Sequence, residues 1–110
     1  MFQVLRKYTN GECFIYTVLQ IDKKANEISF LIEVNGDLLW LDSCLFIPHI
    51  TSEKNMPTFT IKETNCSQVF YSAIQHSSNQ NKYDLLYYKE KEWRTISSDK
   101  CIIDSSRRLN

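Results

Sequence analysis

Short runs dense in Ile, Val, Phe, Tyr and Trp alternate along this chain with polar turn formers, and no stretch keeps a 3.6-residue period for three turns. Such runs suit a pleated, half-buried surface. They predict strands near residues 2–8, 13–22, 27–34, 37–42 and 44–48, and again near 58–63, 68–76, 82–89, 92–97 and 100–103. The two glycines, Gly11 and Gly36, both fall between runs. Asn35-Gly36 is a strong hairpin signal, because both residues tolerate positive φ. Segment 50–57 is polar and ends in Pro57, so it reads as a linker, and 105–110 reads as a frayed tail.

The second set of runs copies the first. Displacing the chain by fifty-five residues, without a gap, sets Lys7, Thr9, Asn10, Tyr16, Gln20, Asn26, Leu31, Ser43 and Ile47 on Lys62, Thr64, Asn65, Tyr71, Gln75, Asn81, Leu86, Ser98 and Ile102. Unrelated strands would match at roughly one position in twenty, so nine identities point to duplication. A period of this length means two copies of one supersecondary unit, each with a thin core. Five short antiparallel strands, one of them bent, hide their apolar face and their edges by closing a small barrel. The expected fold is all-β: two tandem SH3-like five-stranded barrels, at 1–49 and 57–104.

Composition narrows the class. Of 110 residues, 43% are apolar and 24% charged, the balance of an ordinary globular protein. Net charge is zero, split as −2 over residues 1–55 and +2 over 56–110, too mild a dipole to argue for nucleic acid. Cys13, Cys44, Cys66 and Cys101 occur singly, without C-x-x-C spacing and without a cluster around His49 or His76. They read as reduced, mostly buried thiols of a cytosolic or nuclear protein, with no metal and no cofactor. No run is long enough to span a bilayer, and charge interrupts the N-terminus before a signal peptide could form. No nucleophile–base pair, paired carboxylates or phosphate loop points to catalysis.

The second unit reads Val69-Phe70-Tyr71-Ser72-Ala73-Ile74, then Tyr83-Asp84-Leu85-Leu86-Tyr87-Tyr88, then Glu92-Trp93-Arg94 leading to Cys101-Ile102-Ile103. The first unit follows more loosely through Phe14–Leu19, Ile28–Ile32 and Leu39–Leu45. This order resembles the Tudor family over nearly the whole chain. The resemblance implies a Tudor-like, non-enzymatic recognition module, commonly one that holds a methylated lysine or arginine of a histone tail in a ring cage. Ring faces suit that ligand, because methylation keeps the charge and removes hydrogen-bond donors. Carried over, Tyr71 and Tyr87 fall on the two strand positions of the cage. The loop aromatic falls on Thr64 and the acidic residue on Lys89; Tyr88 and Trp93 stand close enough to contribute. In the first unit Tyr16 matches, Ile32 stands where the second ring belongs, and Tyr8 is one residue from the loop position.

Alternation puts Tyr87 and Tyr88 on opposite faces, so at most one belongs to the core. Trp40 is expected in the core or between barrels, Lys89-Glu90-Lys91-Glu92 at a solvated hairpin tip, and His49 and His76 outside any site. Three functions stay open. The first is a nuclear, chromatin-associated module binding a peptide, methylated or not, through Tyr71, Tyr87, Tyr88, Trp93, Tyr16 and Tyr8. The second is a modification-independent scaffold for a protein partner; the expected location is nuclear, with cytoplasmic as the alternative. The third and least favoured is nucleic-acid binding through Lys82, Lys89, Lys91, Arg94, Arg107 and Arg108.

Overall fold

Turn formers cut the apolar runs into twelve short strands among the described residues of the computed structural model, which are 2–49, 56–75 and 82–104. The chain divides into two units, Met1–Thr51 and Ser52–Asn110. The first holds β1 (Phe2–Lys7), β2 (Cys13–Val18), β3 (Gln20–Lys24), β4 (Glu27–Val34), β5 (Asp37–Asp42), a 3-10 turn (Ser43–Leu45) and β6 (Ile47–Pro48). The second holds β7 (Thr58–Ile61), β8 (Cys66–Val69), β9 (Ser72–Gln75), β10 (Tyr83–Lys89), β11 (Glu92–Ser97), a 3-10 turn (Ser98–Lys100) and β12 (Cys101–Asp104). The all-β expectation holds. Of the expected segments, 50–55 of the linker, the strand end at His76 and the tail 105–110 lie outside the described residues.

Each unit contains two three-stranded sheets, ordered β2-β1-β6 and β3-β4-β5 in the first, β8-β7-β12 and β9-β10-β11 in the second. The long strand expected at 13–22 breaks at Leu19, and that expected at 68–76 breaks at Phe70 and Tyr71. A strand that leaves one sheet for another has to bend, and these are the bends. The final strand expected at 44–48 is shortened because Asp42 starts a 3-10 turn, its Oδ1 accepting from the Cys44 N–H at 2.9 Å.

The registers test the repeat pair by pair. Ser29↔Asp42 through Val34↔Asp37 recur, fifty-five residues on, as Asp84↔Ser97 through Lys89↔Glu92. Val4↔Pro48 and Leu5↔Ile47 recur as Phe59↔Ile103 and Thr60↔Ile102. Both 3-10 turns also match. The bent strand does not. Val4 pairs with Tyr16, whereas Phe59 pairs with Gln68; Phe30 pairs with Ile21, whereas Leu85 pairs with Ala73. The second copy of the bent strand has therefore slipped by three residues, and the gapless alignment is corrected there. The first hairpin explains the slip. In unit one Gly11 (φ 88°) closes a wide loop with Tyr8 N–H donating to the Glu12 carbonyl, whereas in unit two Asn65 (φ 59°) closes a tighter turn onto the Ile61 carbonyl. Tyr71 is thus the counterpart of Leu19, as their shared hydrogen bonds to the Leu86 and Leu31 carbonyls confirm, and not of Tyr16.

The cores follow from the inward positions of these ladders. Unit one buries Phe2, Val4, Val18, Phe30, Ile32 and Phe46, with Phe30 edge-on to Phe2 at 5.7 Å. Unit two buries Phe59, Ile61, Leu85, Tyr87 and Cys101, with Phe70, Tyr83 and Ile96 packed against them. At equivalent positions Val4 and Phe46 become Phe59 and Cys101, so a small–large pair becomes large–small. That exchange keeps core volume nearly constant, which close packing demands.

Candidate functional site

Tyr71, Tyr88 and Trp93 converge. Trp93 on β11 lies opposite Tyr88 on β10, and the bend before β9 brings Tyr71 to its other side. Their rings meet edge-to-face, with centroids at 5.2 Å for Tyr71–Trp93 and 5.0 Å for Tyr88–Trp93. Tyr71 and Trp93 are each 8% exposed, so little of either ring is open to solvent. Burial also pushes the Tyr88 hydroxyl pKa up. Tyr87 points the other way, as alternation requires, and packs on Phe59 at 5.6 Å in the core. Its ring thus lies on the opposite side of β10 from that of Tyr88.

The first-unit pair, Tyr8 and Tyr16, also comes together. Their hydroxyls share a 3.3 Å hydrogen bond, which raises the Tyr16 pKa, and Tyr8 packs edge-on to Phe14 at 5.4 Å. The Arg6 guanidinium sits 4.6 Å from the Tyr8 ring centroid, so this ring already carries one of the chain's own cations.

The largest difference between the units lies on the outer side of the second sheet, opposite the core. In unit one this side presents Leu31 beside Trp40 and Leu38 beside Glu33. Leu38 is 62% and Trp40 49% exposed, so Trp40 is not a core residue of this unit. In unit two the same rows carry Leu86 beside Thr95 and Trp93 beside Tyr88, with Leu86 and Asp84 buried. The run Leu38-Leu39-Trp40-Leu41 was the missed signal. Four consecutive apolar residues on a strand cannot all face one core.

Other features supply structure. An open cleft of about 380 Å³ in unit two is lined by Ile61, Lys62, Glu63, Ile96, Asp99 and Lys100, with Lys62 Nζ donating to the Asp99 carbonyl at 3.1 Å. Among the cations of the nucleic-acid reading, Lys82 pairs with Asp99 at 3.4 Å and Arg94 with Glu92 at 3.0 Å, while Arg107 and Arg108 lie outside the described residues. The tip at Glu90 and Lys91 is exposed, as expected, with φ of 54° and 64°. Of the thiols expected to be mostly buried only Cys101 is, which raises its pKa against the pull of Lys62; Cys66 is half-buried, and Cys13 and Cys44, on a hairpin and in a 3-10 turn, are exposed. No cluster of metal-ligating side chains occurs among the described residues. Comparison with protein-family models, with curated proteins and with solved structures finds no match to this chain.

Proposed function

We propose that this chain is a non-enzymatic protein-interaction module of two small SH3-like barrels of the Tudor kind, acting as a modification-independent scaffold. The barrel reading is supported by the strand path. In each unit the last strand pairs with the first, the bent second strand bridges two sheets, and a 3-10 turn precedes the closing strand. The scaffold reading rests on one observation: the rings that would form a cage are closed. Tyr71 and Trp93 pack into each other, and Tyr87 belongs to the core. A methylated ammonium needs desolvated ring faces free to receive it.

Calorimetry with paired peptides, trimethyllysine against unmodified lysine in one sequence, tests this reading. Equal heats at every concentration agree with it; a preference of about tenfold for the methylated peptide, about 1.4 kcal/mol, overturns it. The expected phenotype of Tyr71→Ala with Tyr87→Ala is loss of folding stability rather than a selective loss of binding.

A further inference from the structure

We propose that the outer face of β3-β4-β5 docks a segment of a partner protein that is aliphatic at its centre and basic at its ends. The inference rests on the interaction-module reading and names its surface and its partner's chemistry. Register fixes the layout of the face. One row reads Asp22–Ser29–Asp42, the next Gln20–Leu31–Trp40, and the next Glu33–Leu38. Leu31 and Trp40 therefore hold the middle beside Gln20, with Asp22 and Asp42 at one end and Glu33 beside Leu38 at the other. Lys24 lies beyond the Asp22 row, beside Glu27. From the Asp42 row to the Leu38 row is four residues of strand, roughly 13 Å, the span of a short extended peptide.

Charge decides among occupants. A cation at each end of the segment, one at the Asp22–Asp42 row and one at Glu33, gains ion-pair attraction once water is excluded. Leu31, Leu38 and Trp40 gain from the burial of their apolar area. A second copy of this chain, face to face, would instead set carboxylates against carboxylates. An acidic or purely aliphatic segment would desolvate Asp22 and Glu33 without bringing them a cation, and would add nothing to the Cys44 N–H bond that Asp42 already accepts.

The test titrates the full chain with the peptide Lys-Lys-Val-Ile-Val-Lys-Lys by calorimetry, and follows Trp40 emission in a Trp93→Phe variant. Expected are saturable binding that weakens with salt, a blue shift of Trp40, and no binding of the same peptide with Glu for Lys. Asp22→Lys with Glu33→Lys, both exposed positions, should weaken binding about tenfold or more. Should the Trp93→Phe variant fail to fold, calorimetry on the unaltered chain and on the charge-reversed chain decides alone. Absence of binding overturns the proposal. So does Trp40 already shielded in the free chain, whether the chain runs as a dimer or is covered by its own residues. Binding that survives charge reversal overturns this face and leaves the scaffold reading intact, whereas a methyl-lysine preference does the reverse.

Discussion

Where the second unit carries Trp93, buried against Tyr71 and Tyr88, the first carries Leu38 at 62% exposure; where the second buries Leu86, the first sets the half-buried Leu31 beside an exposed Trp40. The backbone at these positions is equivalent, pair for pair. One ladder thus supports two surfaces, one buried, with Tyr71, Tyr88 and Trp93 packed together on it, and one apolar and open. The inward residues tolerate only volume-conserving exchange, as at Val4/Phe59 and Phe46/Cys101, while the outward residues are free to diverge. The two units share the frame and differ in what its outer face carries.

The sharpest way to break this comparison is to truncate equivalent positions. Trp93→Ala should cost about 3–5 kcal/mol in denaturant unfolding, as expected for a buried ring. Leu38→Ala should stay within about 0.5 kcal/mol, because its side chain has little to lose. Similar costs at the two positions would mean that the faces are alike.

The hairpins between β4 and β5 and between β10 and β11 give a second contrast. Both tips take left-handed φ at two residues, but the first uses Asn35-Gly36 and the second Glu90-Lys91. Glu90→Asn with Lys91→Gly should stabilise by about 1 kcal/mol, and Gly36→Ala should destabilise by a similar amount. Nothing lies within 4 Å of a Cβ at Gly36, so that loss would come from the backbone alone.

The 3-10 turns supply a smaller one. Asp42 caps its turn through Oδ1, whereas Ser97 makes no side-chain cap bond. Asp42→Ala should cost about 0.5–1 kcal/mol and Ser97→Ala close to nothing, read from chemical unfolding. Smallest in energy is thiol access. Under native conditions the exposed Cys13 should alkylate readily and Cys44, exposed but with its pKa raised by the hydrogen bond to Asp42, more slowly, while Cys101, buried and with its pKa raised, should wait for unfolding.

Strand positions, hairpin tips and the doubling were legible in the chain, since they follow from local turn chemistry and from patterning. Asn35-Gly36 and the opposed directions of Tyr87 and Tyr88 are cases in point. The three-residue slip was not legible. Its cause is the closure of one hairpin by Asn65 instead of Gly11, and identities such as Tyr16/Tyr71 and Gln20/Gln75 fit the gapless alignment while occupying different places. Nor did the pattern reveal that Tyr71 and Trp93 close on each other. Aromatic residues that form a cage and those that form a packed cluster are the same residues, and only their burial separates the two.

Fluorescence quenching by acrylamide in two single-tryptophan chains, Trp93→Phe and Trp40→Phe, reads the contrast between faces directly. Trp40 should emit as a water-exposed indole and quench several-fold more steeply than Trp93, which should emit to the blue. Equal quenching, or a Trp40 more protected than Trp93, would contradict the open first face and the closed second one together.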